Sequence, residues 1–150
     1  MDTEKTLDLE GIAADAENAG KIADAYEEMG EPGGLFSYRL KKPLDWAGHR
    51  IEELHFDLDK ITGSVIVKAE EAYFRDTGRT APSTAFNDGL QAYAAALACT
   101  DRDEKGKPFI SVGTIEALAA VDFRTVISRF NRFFVHIESE AMESMEPAKV

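Results

Sequence analysis

The sequence predicts an α+β protein, mainly α: an N-terminal antiparallel β-hairpin packed on a bundle of about four helices, with an acidic helical arm ahead of it. Two runs of alternating apolar and polar residues, Phe36–Leu40 and Glu53–Leu58, flank a turn-forming stretch. After Leu58 the apolar spacing changes to that of helices and stays so. Charge, finally, separates the chain into a neutral body and two acidic ends.

In the hairpin, Phe36, Tyr38 and Leu40 alternate with Ser37, Arg39 and Lys41, and Leu54, Phe56 and Leu58 alternate with Glu53, His55 and Asp57. Pro43 and the Trp46-Ala47-Gly48-His49 turn lie between them, so the two runs pair antiparallel. Arg39 and Lys41 then share the wet face with Glu53 and Asp57, a favourable cross-strand arrangement. Glu52 falls on the apolar register and Ile51 off it, which predicts a bulge there or a strand beginning at Glu53. A two-stranded hairpin is marginal alone in water. Its apolar face must therefore lie on helices, extend the sheet of another subunit, or do both.

A chain of 150 residues is one domain on size and buries roughly 70% of its unfolded surface. Hydrophobic content of 44%, with nine Phe, supports a core. No run approaches the ~18 apolar residues of a membrane span, and no basic-apolar leader opens the chain, so the expectation is a cytoplasmic protein with no membrane partner. Cys99 stands alone, which forbids an internal disulfide and suits a reducing compartment. The net charge of −11 divides as −8 over residues 1–31, −3 over 138–150 and zero between. Nucleic acid is disfavoured as a partner, because phosphate contacts need a basic patch.

Taken in order, residues 1–34 form an acidic extension, 35–137 the folded domain and 138–150 an acidic C-terminal tail. From Ile12 to Met29 strong helix formers carry a thin stripe of Ile12, Ala16, Ala19, Ala23 and Tyr26. A stripe made mostly of alanine buries little, so this helix docks loosely or stands free, with a partner-binding arm as the sharper alternative. Gly30-Glu31-Pro32-Gly33-Gly34 is the linker. Ser64 caps a helix to about Asp76, with Val65, Ile66, Ala69, Ala72 and Tyr73 inside and Gly78 as its stop. Ser83 caps the next, to about Cys99, with Phe86, Leu90, Tyr93, Ala94 and Leu97 as its stripe. Gly89 weakens that helix by ~1 kcal/mol unless a close helix contact needs the space. Residues 100–108 are a polar loop, 109–112 a short extended piece, and Thr114 caps a brief helix from Ile115 to about Ala120. Asp122 begins the strongest helix, with Phe123, Ile127, Phe130, Phe134 and Ile137 spaced by four, three, four and three, and Val126 and Phe133 alongside. After Ile137 the chain is expected to fray.

Catalytic and metal signatures are thin. The loop Asp101-Arg102-Asp103-Glu104-Lys105-Gly106 begins like an EF-hand, but Lys105 takes a ligand position and Val112 stands where a bidentate Glu belongs. Gly106-Lys107 lacks the leading glycine and the Ser/Thr of a phosphate loop. His49, His55 and His136 show no ligand spacing, Asp57 and Asp59 suit helix capping, and Cys99 has no CxxC partner. No nucleophile elbow or dinucleotide turn is present. No catalytic residue, metal or cofactor is assigned. Trp46, at the hairpin tip, either anchors an interface or folds back on the hairpin's own apolar face. The partner-binding candidates are Phe36, Tyr38, Leu40, Trp46, Leu54 and Phe56.

The stretch LKKPLDWAGHRIEELHFDLDKITGSVIVKAE resembles the tail assembly chaperones of tailed bacteriophages, in particular the small tail assembly proteins of the Mu-like, myophage type. The matching positions are Leu40, Pro43, Gly48, Leu54, Leu58, Ile61, Thr62 and Gly63, followed by a D-F-x-x-V-x-x-x-F-x-x-F helix at Asp122, Phe123, Val126, Phe130 and Phe133. The likeness covers about residues 36–137; the acidic extension has no counterpart in short members. It implies a non-enzymatic, oligomeric chaperone of virion morphogenesis in the bacterial host cytoplasm. Such proteins hold the tape-measure protein soluble until tail-tube subunits polymerise around it, and are absent from the mature virion. Competing readings are an acidic inhibitor that mimics nucleic acid, for which the charge is too concentrated in the tails, a small catalytic or metal protein, and a general interaction module.

Overall fold

The computed structural model describes residues 31–81 and 83–145. The predicted arm helix, Pro82 and residues 146–150 of the predicted tail lie outside them. The order is β1 (Leu35–Trp46), β2 (His49–Asp57), a 3-10 turn (Leu58–Lys60), α1 (Gly63–Thr77), α2 (Asp88–Ala98), α3 (Val112–Glu116) and α4 (Ala120–Ser144). This is the expected α+β, mainly α architecture: one antiparallel hairpin on a set of helices.

The hairpin turns at Ala47 and Gly48, both at positive φ (50° and 80°) as a two-residue loop requires. Phe36 lies opposite Phe56, Tyr38 opposite Leu54, and Arg39 opposite Glu53, so the predicted charge pairing holds at that rung. The irregularity sits on the other strand from the one expected. The register slips between Arg39 and Leu44, so Leu40–Pro43 bulge out of β1 opposite Glu52. Beside this bulge Ile51 reaches the core despite its parity, together with Leu40.

α4 is the floor under the hairpin. Val126, Ile127, Phe130, Phe133 and Phe134 are buried, and Phe130 meets Phe56 edge-on at 5.2 Å. The helix runs to Ser144 and does not stop at Ile137. Glu138 explains the extension, because its carboxylate accepts from Ser83 Oγ at 2.8 Å and from Thr84 Oγ1 at 3.0 Å, pinning the loop ahead of α2. Ser83 is thus engaged by α4, and Asn87 caps α2 by accepting from Leu90 N at 3.0 Å. That later start turns the helix. Leu90, Gln91, Ala94, Ala95 and Ala98 are buried, while Phe86 and Leu97 are exposed. Gly89 serves close packing, since a Cβ there would stand 3.2 Å from the Tyr73 ring of α1.

α1 ends at Gly78 (φ 71°), as expected, but begins at Gly63 with Thr62 as its cap residue. Of its predicted inner face only Ala69 is buried; Val65, Ile66, Ala72 and Tyr73 are half-buried. Residues 109–112 form no strand, and Ser111 caps α3 through a reciprocal pair with Thr114. The linker is partly pinned: Arg129 donates to the carbonyls of Pro32 and, at 2.9 Å, Gly33, while Gly34 N donates to Asp59 Oδ1 at 3.1 Å. Any side chain at Gly33 would place its Cβ 2.7 Å from that Asp59 oxygen.

Candidate functional site

Among the described residues Asp122 is the fully buried carboxylate, in the first turn of α4. It accepts from Tyr38 Oη at 2.7 Å, Lys41 N at 2.9 Å and Lys42 N at 3.0 Å. The bulge leaves those two amides without ladder partners, and a helix N-terminus favours the negative charge. Burial pushes the Asp122 pKa up, but the Lys41, Tyr38 and Lys42 bonds outweigh it and hold the carboxyl below its ordinary value. The Tyr38 hydroxyl is raised in turn, by burial and by its bond to Asp122. A carboxylate saturated by its own chain has little left for substrate, so this is a joint.

A second cluster joins β2 to the segment after α2. Asp101 accepts from His55 N at 2.8 Å and from Cys99 Sγ at 3.2 Å, and its other oxygen lies 2.8 Å from His55 Nδ1. Thr100 N donates to His55 O at 2.9 Å, so residues 99–101 cover the outer edge of β2. Cys, His and Asp together suggest a nucleophile site, yet the arrangement opposes one. Asp101 stands between thiol and imidazole, Cys99 is buried, and burial pushes its thiol up to about 12. Nothing in the spacing signalled this cluster, because its members meet only when α2 delivers residue 99 to the strand.

The EF-hand-like loop closes on itself: Asp103 Oδ1 accepts from the amides of Lys105 and Lys107, each at 2.9 Å. His49 lies on the Phe109 ring at 4.3 Å, and His136 reaches Glu140 one turn on at 3.3 Å. Asp57 caps the 3-10 turn, and Asp59 holds Gly34. Among the described residues there is no group of three or more His, Cys, Asp or Glu placed to hold a metal ion, and no helix long and apolar enough to cross a membrane.

The six partner-binding candidates fall into two sets. Leu40, Leu54 and Phe56 are buried in this chain's own core, out of reach of a client unless the hairpin lifts from α4. Phe36, Tyr38 and Trp46 are half-buried against that core. Trp46 folds back on α3, where a Cβ on Gly113 would come within 3.2 Å of its ring. The accessible apolar surface is elsewhere. Val67 and Phe74, two turns apart on α1, are 51% and 54% exposed. A cleft of about 370 Å³ opens between α1, α2 and the 99–112 segment, lined by Ala72, Ala96 and Leu97 and by the basic Lys68, Arg75 and Arg102. The sequence placed α1 correctly, but its periodicity could not reveal that one apolar stripe stays uncovered.

No family model, curated protein or solved structure matches this chain.

Proposed function

We propose that this protein is a non-enzymatic phage tail assembly chaperone that binds the tape-measure protein and keeps it soluble during tail morphogenesis. The observation that carries this reading is the meeting of the two motif segments behind the resemblance. Leu40 and Pro43 bound the bulge, Asp122 opens the D-F-x-x-V helix, and the Asp122 carboxylate holds the bulge amides. Motif residues that join one another make a scaffold and leave the surface to do the binding. Leu54, Leu58, Ile61, Val126, Phe130 and Phe133 are buried, in keeping with such a role.

The outward stripe of α1 is the surface on which a long helical client can lay its apolar face. Val67 and Phe74 offer two anchors at helical spacing, flanked by exposed Glu70 and Glu71. Each contact is weak, and a repetitive client engaging several copies gains by multivalency while remaining displaceable. Displacement by tail-tube subunits is part of the reading. The test is co-expression with the tape-measure protein of the same phage or prophage. The client should move from the insoluble to the soluble fraction in the presence of this chain. A client that stays insoluble, or is equally soluble alone, overturns the reading.

A further inference from the structure

We propose that the cleft between α1, α2 and the 99–112 segment is a docking site for a short acidic stretch of another protein. Its occupant is an extended segment in which two carboxylates flank one large apolar side chain. This rests neither on the tail-assembly reading nor on the stripe of Val67 and Phe74.

Charge complementarity is the first argument. The body of the protein is neutral, yet the lining of this cleft is not: Lys68, Arg75 and Arg102 meet one acid there, Asp76. Arg75 Nε lies 3.3 Å from the Asp76 carboxylate and Tyr93 Oη donates to it at 2.7 Å, so that acid is occupied. Among the described residues Lys68 and Arg102 reach no carboxylate. Arg102 donates to the carbonyls of Cys99 and Asp101, at 3.1 and 2.8 Å, through Nη1 alone. Those bonds set the guanidinium in place and leave Nε and Nη2 for an incoming carboxylate. Three cations against one acid leave two positive charges, which two carboxylates neutralise.

The layering of the cleft is the second argument. Its three cations are exposed, whereas Ala72, Tyr93, Ala96 and Val112 are half-buried and Ile110 is buried. The charges therefore lie at the mouth and the apolar groups behind them. Such a lining suits a ligand that is apolar in its middle and anionic at its edges. In an extended chain residues i, i+2 and i+4 point the same way, so acids at i and i+4 accompany an apolar side chain at i+2 into one cleft.

Size is the third. The cleft holds about 370 Å³. A helix about 10 Å across fills roughly 800 Å³ in about 10 Å of its length, more than twice that space. The cleft therefore admits a side chain and its extended backbone, and not the helical client that the outer stripe of α1 suits.

The experiment titrates the full chain, isotopically enriched, with the end-blocked peptide Ser-Glu-Ser-Phe-Ser-Glu-Ser to millimolar concentration. The expected result is a saturable change, with the largest amide shifts at Lys68, Ala72, Leu97 and Arg102. Lys68→Glu, at an exposed position, should weaken binding about three- to tenfold, and high salt should weaken it as well. Peptides with Gln for both Glu, or with Gly for Phe, should produce no shift. An absence of saturable shifts, or largest shifts outside the cleft, overturns the proposal. So does binding that is indifferent to salt, to Lys68→Glu or to either altered peptide. A separate titration with hexanoate distinguishes the occupants. The same shifts at the same affinity would make the cleft a site for a free amphiphilic acid, and that also overturns the proposal.

Discussion

The Asp122 carboxylate and the Tyr38 hydroxyl meet at 2.7 Å, across 84 residues of chain, at the point where β1 leaves its ladder. The same carboxylate takes the Lys41 and Lys42 amides, so one side chain from α4 fixes both where the hairpin bulges and where it sits on the helix.

Asp122→Asn keeps the volume but offers one acceptor oxygen where two are used. It should cost about 1–3 kcal/mol of stability at neutral pH. The folded pKa of Asp122 is depressed, so its contribution is present above the unfolded carboxylate value and is lost as pH falls through the folded one. Chemical denaturation across the acid range should therefore show the gap between wild type and variant narrowing below pH 3.8. A pH-independent gap would contradict the assignment.

Phe130 is fully buried beneath the hairpin, with Phe56 on its edge. Phe130→Ala should destabilise by about 3–5 kcal/mol. Phe86, a large residue of the same predicted kind, is 49% exposed and held at φ 63°. Phe86→Gly should leave stability equal or higher, because a β-carbon in that region costs about 1–2 kcal/mol. Denaturant midpoints of both variants check the contrast.

These two phenylalanines mark how far the sequence carried the fold. The hairpin, its turn and the α4 face were legible because period-two and period-3.6 patterns are local. The position of the bulge was not, because the amides of Lys41 and Lys42 are satisfied by a residue eighty positions away. The start of α2 was misplaced for the same reason: Glu138 claims Ser83, and Phe86 is thereby turned outward. The cluster of His55, Cys99 and Asp101 and the open stripe of Val67 and Phe74 depend on which elements meet, which no single element encodes.

Cys99 should be inert in the native protein. Its thiol is buried, pushed up to about 12, and bonded to Asp101. A disulfide-exchange reagent at mildly alkaline pH should react only after denaturant is added. Rapid stoichiometric labelling of the native chain would show that the 99–101 segment opens readily.

Self-association should run through β1. The backbone of His55 faces Thr100, so in the alternating antiparallel pattern the opposed Ser37 turns its own N–H outward. Among the described residues no strand pairs with that edge of β1. Wild type should form oligomers at micromolar concentration, and Ser37→Pro, which removes an outward donor, should sediment as a monomer with its fold intact. A monomeric wild type at high concentration would count against edge pairing.

A chaperone of this kind must hold a helical client on its surface. The direct measurement is size-exclusion chromatography of the protein co-expressed with its tape-measure partner, beside a Val67→Asp/Phe74→Asp variant whose melting curve matches wild type. The prediction is co-elution for wild type and its loss for the variant. Co-elution unaffected by the double substitution would place the client elsewhere, and no co-elution with either protein would contradict a client-holding role.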